Sequence, residues 1–469
     1  MTRMTAPVAA TRAPSPPSLL HRAHLPFAVG AVALVTLGAF ENRAVLTVLP
    51  TVAERLGGLW LFGAAAAAPM ISFVLATAVA GTWADRRGPL EPMYAGLGLF
   101  VLAQAAMGLA PSMAVFAAAR LGGGLAEGLI DVGLVVLMAR ALPEELRAKV
   151  FAAFAAAWVL PSVLGPALAG AVAEHLGWRT VFLMAIVLVV PATAMLRPAM
   201  ARSRATLSAP TRWTSDERRM VGAAALVALA LVLLTAGGSM LTRDSAPALL
   251  GATASLVGLF VLLPSIRAVL PPGVLTLDRG IPTVIALRGM VAAAFGLVGA
   301  FIPLMLTTVH GFTPTTAGVS LTVTGLFWSL GSQLHGLHWV QRRVPPAQRL
   351  RIGFGLIASG VAGPGLLSLD LLPAWAGLSL WAVAGIGMGV SSPTLSTHLL
   401  SLSPSASQGR YTAASNLAGS VSQSLVLGAA GALIAWQSPE LPGWVFALVM
   451  AAGGVIAFGG AAVAGRAVR

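Results

Sequence analysis

The chain has 469 residues, 57% of them hydrophobic and only 9% charged, with a mean hydropathy of +0.87 and a formal charge of +14. About a quarter of a soluble domain's residues are charged, and no single soluble core hides this much apolar surface, so the repeated charge-free stretches read as membrane spans. The absence of cysteine excludes disulfides and thiolate metal sites, and the basic excess sits in short connections, where it orients a membrane chain instead of forming a nucleic-acid face.

Residues 1–22 mix Thr, Ala, Pro and Arg and are expected to be a flexible cytoplasmic tail. The apolar run after them is too long for a secretory core and lacks a small-residue cleavage site, so it is expected to remain as the first helix. Six spans are predicted in a first bundle over 23–198, at 24–49, 58–81, 90–110, 113–139, 148–173 and 180–197. A charged cytoplasmic linker at 199–219 leads to an extra helix pair over 220–268, with spans at 220–239 and 246–266. Six more spans, at 281–308, 315–339, 350–369, 372–400, 411–436 and 442–464, form a second bundle over 269–465, and 466–469 is a cytoplasmic end. The six-two-six layout predicts an all-α integral membrane protein of 14 transmembrane helices, two equivalent halves with a spare pair between them. A twelve-span reading without that pair would strand two apolar runs outside the bilayer.

An even number of crossings puts both termini on one side. That side collects 23 of the 29 basic residues, the opposite loops hold only Arg55, Arg179 and Arg243, and Arg43, Arg120 and Arg288 fall inside spans. The positive-inside rule then makes both termini cytoplasmic.

Between spans two and three lies GTWADRRGP, residues 81–89. Gly81 and Gly88 are expected to turn the chain sharply and let it approach a neighbouring helix. Asp85 is expected to cap or face the positive end of a nearby helix, while Arg86 and Arg87 hold the loop at the anionic inner leaflet. A plain basic tether would account for the arginines but not for an acid between flanking glycines. The passage resembles the cytoplasmic-loop signature of major facilitator superfamily transporters. RLGGGLAEG, Arg120 to Gly128, is similar to the family's Arg-centred fourth-helix motif. VLGPALAG at 163–170, with Gly165, Pro166 and Gly170, looks like the Gly-Pro motif of its exporters, although Pro161 stands where a further Gly is usual. AFENRAVLTVLP at 39–50 resembles the acidic residue and apolar run of the 14-helix drug:proton antiporter branch, with Asn42 and Arg43 as less usual company.

The resemblance covers roughly 24–465. It implies the major facilitator fold in a bacterial plasma (inner) membrane, a cytoplasmic gate at Gly81, Asp85, Arg86, Arg87 and Gly88, and export of small molecules in exchange for protons by alternating access. HGLHWVQRRVPP at 335–346, where the loop signature might recur, has no carboxylate, so any latch is asymmetric and depends on Asp85.

Charges inside a bilayer are costly and face a cavity or one another. At about 1.5 Å of rise per residue, Glu41 on span one and Arg120 on the antiparallel span four come to nearly the same depth. Glu127 and Asp131, four apart, lie one above the other toward the inner mouth. Low dielectric and a like-charged neighbour raise a carboxylate's pKa and a nearby Arg lowers it. Glu41 and Glu127 are therefore the expected proton-binding groups, with Arg120 as electrostatic switch, Asp131 guiding protons at the mouth and Arg43 as a supporting charge. Static pairs that fix helix packing would present the same residues. Gly165–Pro166 is expected to interrupt the fifth helix's hydrogen-bond ladder, with Gly170 permitting close packing.

In the second half Arg288 is the sole charge deep in a span, there either to snorkel or to meet acidic cargo or lipid. Gln333, Asn416 and Gln423 either line a cavity or bond helices to one another. An otherwise apolar cavity suits hydrophobic or amphipathic molecules, cationic ones included, or a lipid. A small-metabolite importer or facilitator of the same fold is the rival within transport. No nucleophile–base grouping, P-loop or metal-ligand array is apparent, so neither an enzyme, a bound cofactor nor a resident metal is expected. The expected partners are protons, cargo and membrane lipids, with no nucleic acid, and nothing requires more than a monomer.

Overall fold

The computed structural model describes residues 25–142, 144–204, 213–241, 245–404 and 407–468, and among these the chain is helical with no strand. The expected tail at 1–22 and Arg469 lie outside the described residues. The first bundle comprises α1 (Leu25–Arg55), α2 (Phe62–Arg87), α3 (Leu90–Gly108), α4 (Met113–Ala141), α5 (Glu144–Ala157), α6 (Val159–His175) and α7 (Trp178–Arg204). The inserted pair is α8 (Ser215–Ser239) and α9 (Ser245–Val269). The second bundle comprises α10 (Ile281–Thr308), α11 (Pro314–Gly336), the short α12 (His338–Arg343), α13 (Pro346–Leu367), α14 (Ala374–Leu402), α15 (Gln408–Gln437) and α16 (Gly443–Val463).

Twelve of the described helices are long and apolar enough to cross a membrane individually. The broken rod α5–α6 and the Thr- and Ser-bearing α11 complete the fourteen read from the sequence. The break at Trp158 has a local cause: Pro161 has no N–H to offer the Ala157 carbonyl, and its ring crowds that carbonyl. By contrast α6 runs without interruption through Gly165 and Pro166, so the expected interruption lies about two turns earlier than the Gly-Pro pair. The expected linker is also helical at both ends, because α7 continues to Arg204 and α8 starts at Ser215 behind a Thr214–Glu217 capping box.

Two apolar cores show how the halves meet, with inner and outer defined by the arginine asymmetry. Outer-half residues of the first bundle, such as Val52, Phe62, Phe116 and Phe182, share one core with Phe301, Phe354 and Phe446 of the second. The rings of Phe62 and Phe301 meet across the junction at 5.3 Å. The inner half of the first bundle has a core of its own, built from residues such as Phe27, Met93, Leu134 and Leu196. Among the described residues the halves share an outer core and no inner one, the pattern of an inward-open arrangement.

The outer closure is made by small residues, because only they let backbones touch. On α6 and α11, Gly170 abuts the Pro314 backbone, Gly318 abuts Pro166 and Gly325 abuts Ser162. On α2 and α15, Gly63 abuts Gly431. Glu174 at the end of α6 adds a polar clasp, accepting from Thr315 Oγ1 of α11 at 2.6 Å. The inserted α8 packs against both α2 and α15, while α9 rests chiefly on α8 and turns Leu249, Leu256 and Phe260 outward.

Candidate functional site

The site is set by how closely α4 approaches α2. Gly124 lies against Pro69 and Ser72, and Gly128 against Ala76, so a narrow stripe of α4 seats on α2. Arg120 is one turn before Gly124 on the same face and reaches past α2 into the bundle. Its Nη1 donates to Glu41 Oε1 of α1 at 2.9 Å, and its Nε donates to the Ala65 carbonyl of α2 at 3.3 Å. That carbonyl is available because its helical partner would be the N–H of residue 69, which is proline. The pair is sealed from solvent, with Arg120 3% and Glu41 9% exposed. A buried ion pair is tolerated only when its remaining donors and acceptors are satisfied, and the freed carbonyl supplies one such partner.

Glu127 and Asp131 continue the seam toward the inner side. Both line a cavity of about 40 Å³ walled by α1, α3, α4, α7 and Trp158 at the α5–α6 break. That volume admits at least one water. Glu127 is within electrostatic reach of Asp131, Glu41 and Arg120. The structure thus brings together all four groups that the sequence grouped, Glu41, Arg120, Glu127 and Asp131. The side chain of Arg43 lies outside the described ones.

The GTWADRR segment differs from expectation. It is not a loop: α2 stays helical to Arg87, and only Gly88 and Pro89 connect to α3. Gly88 makes the turn with φ +84°, as expected, but Gly81 sits inside α2 with open space beside it and serves no close approach. Asp85 is exposed and caps nothing among the described residues. Arg86 of this segment is met by Glu217 of α8, which takes its Nη2 at 2.7 Å. Arg87 meets Glu91 at 3.5 Å. Thr214 and Arg86 hold the Glu217 carboxylate below its usual range, first by the Thr214 backbone N–H and then by the Arg86 hydrogen bond.

In the second half, Arg288 of α10 donates to Ser392 Oγ of α14 at 2.8 Å. Gln333 and Asn416 are exposed, and Gln423 lies half-buried over Gly296 of α10. None of the three carboxamides bonds another helix among the described residues, so they are not interhelical glue in this state. Sequence reasoning missed Glu217, Glu174 and the Pro69–Ala65 device. The first had a signal in the T-x-x-E capping pattern ahead of an apolar run. Proline inside an apolar span was the signal for the third, and Glu174 had none, because its partner is 141 residues away.

A sequence model described as the Major Facilitator Superfamily matches residues 31–427. The chain belongs to the Major Facilitator Superfamily. It is a transport protein and not an enzyme, a multi-pass protein of the bacterial plasma membrane. It is 26% identical over 408 residues, 85% of each chain, to a probable multidrug-efflux transporter of Mycobacterium tuberculosis. It is 24% identical to the multidrug transporter protein MdtP of Bacillus subtilis, covering 79% of this chain and 68% of that one. Among solved structures, a POT family transporter in complex with a thioalcohol-conjugated peptide superposes with a TM-score of 0.67 at 16% identity, covering 93% of this chain and 94% of that one. An auto-inhibited POT family peptide transporter gives 0.67 at 16% identity, covering 95% and 97%. These similarities in structure concern the fold.

Proposed function

We propose that this superfamily member is a proton-coupled secondary transporter of amphipathic small organic molecules, working by alternating access as a monomer that carries both halves. The observation that carries the reading is the buried Glu41–Arg120 pair with Glu127 and Asp131 beside it. A proton arriving through the small cavity binds Asp131 or Glu127. A proton on Glu41 removes the charge that Arg120 faces, and the guanidinium then turns to Glu127 as its remaining anionic neighbour. That exchange changes how α4 is held to α1 and α2, which links protonation to the rocking of the halves. In the inward-open arrangement Asp85 stands free, as a gate residue does when its side is open, and the gate reading has it engaging the other half when the inner side closes.

Two directions of transport remain. Export against protons, the drug:proton antiporter reading, is supported by the motifs in α1 and α6 and by relatives whose names describe multidrug efflux. Import of a small metabolite is the other direction, on a fold shared with structures described as a POT family transporter and a POT family peptide transporter. Everted vesicles acidified inside separate them: an antiporter accumulates at least one of two fluorescent amphiphiles, cationic ethidium or anionic dansylglycine, and a symporter accumulates neither. Proton coupling is tested in proteoliposomes with Glu41→Gln, Glu127→Gln and Asp131→Asn. Undiminished dependence on the pH gradient in all three would overturn the reading.

A further inference from the structure

Among the described residues Arg288 is a cation inside the second bundle with no anion to meet. The acids of 269–465 are Asp278, Asp370 and Glu440, and all three lie in connections between helices. In the first bundle Glu41 is committed to Arg120, and Glu127 and Asp131 face a cavity walled by that bundle alone. Among the described residues the guanidinium makes a single hydrogen bond, to Ser392. Five N–H donors with one partner leave most of the group's binding capacity unused.

The side chain does not snorkel. Arg288 lies about 10 Å into α10 from the inner end, whereas Ser392 lies about 15 Å into α14 from the same side. The guanidinium therefore leans deeper into the membrane, away from the water that snorkelling seeks. Gly419 of α15 faces it, where a Cβ would meet Arg288 Cγ at 4.0 Å and Ala292 Cβ at 3.6 Å, ordinary packing distances. Asn416 and Gln423 flank Gly419 by three and four residues and so share its face of α15. The result is a polar strip of one guanidinium, one hydroxyl and two carboxamides in an apolar half. A charge at this depth is costly unless it meets a partner or a wet cavity, and a planar oxyanion is the partner that a guanidinium fork fits in two-pronged fashion.

We infer that Arg288 anchors an anionic group of the cargo, the carboxylate of an amphipathic organic acid, with Ser392 and Asn416 beside it. The inference rests on the transporter reading and replaces the expectation of a cationic cargo, since the acids that suggested one are occupied or face elsewhere.

The test is a fluorescence titration of the full chain in nanodiscs of zwitterionic lipid, without a pH gradient, using dansylglycine and its uncharged amide, dansylglycinamide. The wild type is expected to bind the carboxylate roughly tenfold to a hundredfold more tightly, the range for a charge-assisted hydrogen-bonded pair. Arg288→Gln is expected to bring the two probes to equal affinity, and Arg288→Lys to keep part of the preference. Ser392→Ala, which retains the charge, is expected to weaken the carboxylate by a few-fold and guards against misfolding of the Arg288 variants. Equal or absent binding of the two probes to the wild type, or an undiminished preference in Arg288→Gln, would overturn the inference. So would displacement of dansylglycine by phosphatidylglycerol added to the discs, which would assign the strip to a lipid headgroup. Because no proton gradient is involved, failure here leaves proton coupling to be decided by the Glu41, Glu127 and Asp131 variants.

Discussion

Gly170→Ala is expected to drive the protein toward an outward-open arrangement. A Cβ at this position would lie 2.5 Å from the Pro314 carbonyl oxygen and 2.8 Å from Thr315 Cα, both backbone atoms at the start of α11. Backbone cannot rotate away as a side-chain tip does, so α6 and α11 must separate where the halves close. Overpacking of this kind costs about 1–3 kcal/mol. The cost applies only to the state in which the two helices touch, so it becomes a shift of roughly 5-fold to 150-fold in the ratio of inward-open to outward-open molecules. With no native cysteine in the chain, Leu176→Cys and Leu371→Cys can carry spin labels without background. Both positions are exposed, at 68% and 65%, at the outer ends of the first and second bundles. Distance distributions by pulsed electron resonance should gain a longer outer separation in Gly170→Ala. An unchanged distribution in a variant of wild-type thermal stability would refute both the closure and the assignment of its state. Gly318→Ala should act alike and combine non-additively, since it wedges the same contact.

Glu41→Ala takes from the buried guanidinium its ion-pair partner and leaves it the Ala65 carbonyl and a turn toward Glu127, so thermal unfolding should show a loss of at most about 3–5 kcal/mol; the double variant Glu41→Ala/Arg120→Ala should lose less than the sum of the two singles. Pro69→Ala returns an N–H to the Ala65 carbonyl and so competes with Arg120, which should lower gradient-driven transport while leaving the melting temperature near or above the wild type. The Arg86–Glu217 contact should be pH-sensitive in a defined direction. The Glu217 carboxylate is held below its ordinary value of 4.5, so its contribution is complete above that value and disappears as pH falls through the depressed one. Protection factors in the first turn of α8, with the intrinsic pH dependence of exchange divided out, should therefore fall on acidification, and Glu217→Gln should remove that dependence.

Much of the machine was legible because a bilayer makes charge scarce. A carboxylate or arginine in an apolar span stands out, and helix rise converts its position into a depth, which is how Glu41 and Arg120 were matched across 79 residues of chain. Glu127 and Asp131 followed from the four-residue repeat on α4. The loop reading of residues 81–87 failed because polarity was taken for the end of a span, whereas a helix continues into water for as long as its own hydrogen bonds are made. Asp85 drew attention as the acid in a recognisable passage, yet the anion that answers Arg86 in this state comes from an inserted helix 131 residues away.

From the sequence alone came the number of rods, the side on which they begin and end, and the residues too costly to leave in lipid without purpose. These depend on local hydropathy and on charge counted along the chain. Which carbonyl a proline releases to which arginine, which glycines let two backbones touch, and therefore which mouth is shut, were decided only by the packing of rods distant in sequence. Contact at that range depends on the shapes of two surfaces at once, and neither surface is written in its own stretch of chain.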